Sequence, residues 1–413
     1  MAPAQAAPVP ATVVQPGAVS DAAAPDAALE KELPETLSAD LLTTPQINGV
    51  VWSTAVNGNV AYAVGSFTRA RPSGVPEGGA GEVVRNNAMA FEISTGKILP
   101  WNPNLNAQAL EVEMSPDNSQ IIVGGSFTTV GGQPRSKVAV FSASSGALQP
   151  FSVSIAGNVQ TVYATATTLY VGGSFGQAGN QPRGNAAAFN RSTGALLPWA
   201  PQTDDIVHGI IASADNSRVV LAGRFQTLNG SLKIGIGAVD GTNGASQPWT
   251  STPIPQTQIS VPKNNTSWVT QMIEKDGVIY ASANGMGHQW FDGRFAADFW
   301  TGDLVWLDNC YGASTDVAVM GEVLYSVSHA HDCSSLGEFP ETTPQTWRRS
   351  LAETIYATGT DQAPPGSNSK YSGQPVPSLL HWYPSINTGF FTGQYQGGWA
   401  LANNEDYLVE GGE

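Results

Sequence analysis

The chain is poor in charge, and poorest in positive charge. Of its 413 residues 12% are charged, and 18 Lys plus Arg stand against 33 Asp plus Glu, for a formal net charge of −15. Nucleic acids and anionic membrane surfaces are held by basic patches, so this balance argues against both as partners. Long hydrophobic runs are lacking too. None approaches the roughly 18 residues of a spanning helix, and no integral membrane segment is expected in this chain. Cysteine is nearly absent: Cys310 and Cys333 are the whole complement, and two thiols by themselves fix no compartment. The N-terminus says more. Ala4-Gln5-Ala6 has the small-x-small form of a signal-peptidase site, and Ala7 onward is Ala/Pro-rich in the manner of exported mature chains. A secreted or cell-surface location is therefore expected, and with it a Cys310–Cys333 disulfide.

What the sequence has in plenty is Gly (45) and Pro (28), a composition that suits many short strands joined by tight turns. These residues recur in order. Val123-Gly124-Gly125-Ser126-Phe127 returns unchanged as Val171-Gly172-Gly173-Ser174-Phe175, with looser copies at Val64–Phe67 and Leu221–Phe225. Nineteen residues after the Phe of three copies stands a turn glycine, Gly146, Gly194 or Gly244; the first copy reaches Ser94-Thr95-Gly96 later because 71–84 is inserted. A Pro–aromatic pair follows each turn: Pro100-Trp101, Pro150-Phe151, Pro198-Trp199 and Pro248-Trp249.

Each unit of 48 to 60 residues reads as four short strands. That period is the one expected of propeller blades. The fold expected is all-β: a β-propeller of about seven four-stranded blades over 45–413, behind a flexible Ala/Pro-rich arm or linker at 1–44. The blades are placed at about 46–105, 106–156, 157–204, 205–265, 266–314 and 315–395, with a partial seventh at 396–413. The seventh has sequence for two strands, which leaves the arm, a partner chain or further sequence to complete it. The glycine pair is expected to permit close backbone approach, and the Phe and Trp landmarks to fill the space between blades.

Val-Gly-Gly-Ser-Phe, then Gly131-Gly132-Gln133-Pro134-Arg135, Val138-Ala139-Val140-Phe141 and a Ser-Gly turn resemble a repeat family of secreted actinobacterial surface proteins, similar to the delta-sixty repeat. The resemblance covers about 46–413 and is strongest in units two to four. It implies a propeller fold and an extracellular location, and little about activity.

Units five and six depart from the pattern, and the residues with chemical potential gather there. His329 and His331 flank Ala330 and share a face of an extended strand, a spacing at which two imidazoles can hold one metal. Asp298 and Asp308 are oxygen donors near them in sequence, and hard ligands of that kind suit a divalent cation such as Ca²⁺. The plainer reading is a polar network beside the disulfide; His208, His288 and His381 are the remaining histidines. Trp101, Trp199 and Trp249 recur at one blade position and read as core, whereas Trp290, Trp300, Trp347 and Trp382 lie off that register and are the ligand-binding candidates. Asp292 and Asp298 are the carboxylate pair that breaks the repeat, the arrangement a glycosidase would need. Gly172–Gly176 fits a nucleophile elbow only in letters, because Ser174 belongs to the repeat and no helix follows. Gly235-Ile236-Gly237 is a third-strand segment for the same reason. The repeated Arg85, Arg135 and Arg183 read as blade-linking residues.

The leading expectation is a non-catalytic binding or structural module that meets a glycan or a cell-surface protein through loops of blades five and six, including the insertion at about 334–377. The alternative is a polysaccharide hydrolase or lyase with acidic or metal-assisted chemistry at the propeller mouth. A purely architectural part of a surface assembly is the third.

Overall fold

Asn57-Gly58, set between two runs of small apolar residues, makes the first hairpin: Val50–Asn57 pairs antiparallel with Val60–Ser66, and Ala88–Glu92 adds beyond it. The computed structural model repeats this plan along the chain. It describes residues 32–251, 267–285, 290–363, 371–394 and 396–413. Blade two is built from Ala109–Met114, Gln120–Gly125 and Val138–Ser142, and blade three from Ile155–Ala164, Thr168–Ala178 and Ala186–Asn190. Blade four uses Val207–Ala212, Arg218–Gly223 and Ile236–Asp240. Blade five uses Trp268–Lys275, Val278–Asn284 and Arg294–Asp298, and blade six Ser314–Met320, Val323–Ala330 and Arg348–Thr354.

The fourth strand is weaker. Blades four and five carry it as Ser246–Gln247 and Leu304–Asp308, while in blades one, two, three and six it shrinks to single bridges at Ile98, Leu148, Leu196 and Leu379. Blade seven holds two strands among the described residues, Gly398–Asn403 and Leu408–Gly412.

The seven first strands pack side by side in a ring, the seventh against the first. This is a seven-bladed β-propeller. Its core is accordingly a ring as well. Separate apolar clusters fill the gaps between neighbouring blades, and the one joining Val409 to Val51, Ala61 and Met89 closes the circle. Phe127, Phe175 and Phe225 are buried as expected, each contributing about 1.5–3 kcal/mol by area. Trp199 packs edge-on against Tyr170 and donates its Nε1–H to the Asp240 carbonyl of the next blade at 3.0 Å. Trp101 stands between Tyr62 of blade one and Phe141 of blade two.

The glycine pair answers two separate constraints. A Cβ on Gly124 would lie 2.7 Å from Val159 Cγ1 of the next blade, and one on Gly125 would lie 2.6 Å from the Gln108 carbonyl oxygen of its own. Gly172 and Gly173 repeat this against Val207 and Asn158, and Gly411 and Gly412 repeat it against Val51 and Gly397. In blades two, three and seven the first glycine thus allows the next blade's close approach, while Val64, Ala222, Ser282 and Val327 hold this register position in the other four.

The repeated arginines work differently from the expectation. Arg85, Arg135 and Arg183 donate to the carbonyls of Leu99, Gln149 and Leu197 at 2.8, 2.8 and 3.0 Å, which clips the third strand to the thin fourth strand of the same blade. Reaching toward the next blade falls instead to asparagines: Asn87 and Asn185, both at positive φ, donate to the carbonyls of Leu105 and Thr203, which in turn bridge Val130 and Leu228 of the following blade. Of the expected arm, 1–31 lie outside the described residues. Leu37, nearer the propeller, donates its N–H to the Tyr325 hydroxyl at 2.7 Å and packs on the blade-six cluster.

Candidate functional site

Two features break the repeat: the lining of the central channel and the insertion of blade six. The channel begins with a register slip. In every blade the pairing of first and second strands skips one residue opposite the glycine-pair position. A β-bulge of this kind re-aims the extra side chain and bends the strand. The extra residues are Trp52, Leu110, Gln160, His208, Thr270, Thr315 and Trp399, and all seven line one cavity of about 150 Å³. Trp52 and Trp399, on the neighbouring first strands of blades one and seven, meet edge to face, 5.1 Å between ring centroids.

The residues just after the bulge form a waist. Glu111, Gln271 and Asp316 line both this cavity and a wider one, about 330 Å³, toward the other end of the channel. Glu111 accepts from Ser53 Oγ at 2.8 Å and from Gln271 Nε2 at 3.4 Å. Asp316 accepts the backbone N–H groups of Val317 and Leu401 at 2.8 and 2.7 Å. Burial raises the Glu111 carboxyl well above its ordinary range, aided by the like charge of Glu113, and raises Asp316 to about 7. Glu113 is only half-buried by area, yet desolvation in the narrow channel lifts it to about 8. His208 goes the other way, down to about 4, because burial and then Arg224 disfavour its cation. Sequence reasoning missed this ring. The available signal was the set Ser53, Glu111, Thr161, Gly209, Gln271, Asp316 and Ala400, one position whose chemistry changes from blade to blade while its surroundings stay fixed.

In blade six the chain leaves the second strand at Ala330 and returns at Arg348. The Cys310–Cys333 disulfide forms, ties the start of this insertion to blade five, and packs with Leu351, Leu379, Leu336 and Phe339. Arg348 lies over the Phe339 ring, 3.5 Å from its centroid. His329 and His331 stack 6.3 Å apart. His329 Nδ1 meets Gln396 Oε1 at 2.5 Å, and burial lowers its pKa; His331 faces Glu341 at 3.5 Å.

The two aspartates named with these histidines are engaged elsewhere. Asp298 accepts the N–H groups of Trp300 and Thr301 in the turn after its strand. Asp308 is ion-paired to Arg294, which also holds Glu353 at 2.9 Å, all three fully buried. Among the described residues the grouping that approaches a metal's ligand sphere is Asp308, Cys310 and Glu353. There the disulfide occupies the sulfur and Arg294 is hydrogen-bonded to both carboxyl groups. Of the carboxylate pair, Asp292 is buried and accepts from the Gly285 and Gly312 N–H groups at 3.1 Å each.

The four tryptophans separate. Trp347 is 37% exposed, with Arg349 over its ring at 4.7 Å and His329 beside it at 5.3 Å. Trp300 is 54% exposed but sits in the turn between third and fourth strands, at the opposite end of the sheets. Half-buried Trp290 lies in the second-to-third connection of blade five, at the same end as Trp347. Trp382 corrects the register argument: Leu379 bridges Glu353 as Leu196 bridges Phe189, which puts Trp382 at the core position of Trp199. It is buried against Tyr325 and is no ligand surface. His288 lies outside the described residues.

Comparison with known proteins agrees with this architecture. A family model described as the Rax2 C-terminal beta propeller domain matches residues 89–243, from blade one into blade four. No curated relative matches the sequence. Among solved structures the chain is similar to the RRP9 WD40 repeats, with a TM-score of 0.51 at 12% identity over 92% of this chain and 92% of that one. It also aligns with the computationally designed Ika8 protein at a TM-score of 0.46 and 12% identity, over 88% of this chain and 93% of that one. The chain is a β-propeller repeat protein, and no helix among its described residues is long and apolar enough to cross a membrane.

Proposed function

We propose that this propeller is a non-catalytic binding or structural module, secreted or held at the cell surface, that meets a glycan or a protein through the end carrying the blade-five and blade-six insertions. The observation that carries the reading is Trp347. It is a large aromatic left 37% exposed on an insertion pinned by a disulfide, with a guanidinium stacked on one face. A rigid aromatic costs little conformational entropy on binding and offers a flat apolar face to a sugar ring or an apolar side chain.

Further groups collect at the same end. Trp290 lies in the neighbouring blade's connection, and Phe390 and Phe391, 77% and 57% exposed, lie in the link from blade six to blade seven. The resemblance of units two to four to secreted actinobacterial repeat proteins supports the extracellular location, as does the disulfide. The test is binding of the whole chain to a glycan array and to fixed cells. Trp347→Ala should abolish most of the signal while leaving the melting temperature within a degree or two, as a surface substitution does. Unchanged binding by this variant would refute the assignment.

A further inference from the structure

The central channel is lined by four carboxyl side chains and one histidine, His208. Glu111 and Asp316 stand at the waist, Glu113 and Glu274 line the wider cavity, and neither cavity is lined by a Lys or Arg. Glu111 and Asp316 are buried and Glu113 half-buried, while Glu274 is exposed and also accepts the Gly277 N–H at 2.7 Å; carboxylates drawn out of water need a counter-charge or a proton. Two further buried polar atoms beside the channel have no hydrogen-bond partner. Thr54, 7% exposed, lines the wider cavity, and its buried Oγ1 has no hydrogen-bond partner; at the narrow end the buried His208 Nε2 has none either.

The layout selects the kind of cation. A bare metal ion draws its ligands into one small sphere, but the channel carboxylates form no such group among the described residues. They are strung along the axis instead. At the narrow end the Trp52–Trp399 pair borders the Glu111–Asp316 waist, and aromatic rings beside carboxylates suit an ammonium group. Between the waist and Glu113 with Glu274, the wall includes Met272, Ile211 and Val162, an apolar stretch that suits methylenes. A volume of about 330 Å³ accommodates a small aliphatic chain.

We infer that the channel binds a linear aliphatic diamine or polyamine, one ammonium held at the Glu111–Asp316 waist against the tryptophans and another by Glu113 and Glu274. This site is separate from the surface proposed above and does not depend on it. Isothermal titration of the whole chain with 1,4-diaminobutane, in calcium-free buffer, tests it. Binding of one diamine per chain is expected, and n-butylamine, which lacks the second ammonium, should bind about tenfold more weakly. Glu111→Gln keeps the shape and its Ser53 contact yet should weaken the diamine about tenfold. Glu113→Gln, on the less crowded side, serves as the second variant should the first fail to fold. The inference is overturned if the native chain gives no binding heat, if neither variant weakens the diamine, or if CaCl₂ binds the channel and the diamine does not.

Discussion

Blades two to four and blades five to six share one backbone plan and are held together by different chemistry. In the regular blades the plan is enforced by small repeated devices: a glycine pair in blades two and three that becomes Ala222-Gly223 in blade four, the buried Phe, and a cationic clip worth about 1 kcal/mol, an arginine in blades two and three and Lys233 in blade four. Each device is local, so the sequence repeats. In blades five and six the clip is gone, and a fully buried arginine, Arg294, joins Asp308 of its own blade to Glu353 and Ser314 of the next. Beside it a disulfide ties the two blades across a sequence separation of 23. The difference teaches that a propeller can surrender its repeat signature where it must carry insertions, provided stronger long-range links replace it.

The sharpest way to break this contrast is Arg294→Ala. Asp308 and Glu353 would be left buried without their counter-charge, and a loss of about 3–5 kcal/mol in chemical denaturation is expected. A loss near 1 kcal/mol, the size of an arginine clip, would place blades five and six under the same rules as the others. Next in size is Gly172→Val in blade three. Its side chain would meet Val207 and Ile210 of blade four, and overpacking of that kind costs about 1–3 kcal/mol. An unchanged midpoint would mean that Gly172 does not govern blade four's approach.

The smallest effect is a pH slope. Glu113 and Asp316 are raised to about 8 and about 7 in the fold, above their ordinary 4.5 and 3.8. The folded chain therefore holds more protons than the unfolded one in that interval. Their contribution is full below about pH 4 and is lost as pH rises through 7 and 8. His208, lowered to about 4, acts oppositely, and its contribution is lost as pH falls from 6.5 through 4. Melting temperatures from pH 6.5 to 9 should fall in the native chain and fall less in Glu113→Gln. Equal slopes would remove Glu113 from the account.

The propeller was legible because its landmarks are fixed by sterics at short range: Gly124 and Gly125 each answer a contact under 3 Å. The disulfide was legible because two cysteines allow one pairing. The channel was not. The bulge is set by strand register, and it accepts Trp52, Leu110 and His208 alike, so no residue type announces it. Trp382 was misplaced because His381 stands where blades one to four carry Pro, and the shared spacing from Leu379 went unnoticed. Arg294 could not be paired from sequence, since Glu353 lies 59 residues away.

Recognition by the divergent end is the claim on which the functional account turns, and two exposed tryptophans at opposite ends of the sheets test it directly. Binding to the glycan array and to fixed cells should be measured for Trp347→Ala and Trp300→Ala side by side. The account predicts loss in Trp347→Ala and retention in Trp300→Ala. Retention in the first with loss in the second would put the recognition surface at the other end of the propeller and contradict it.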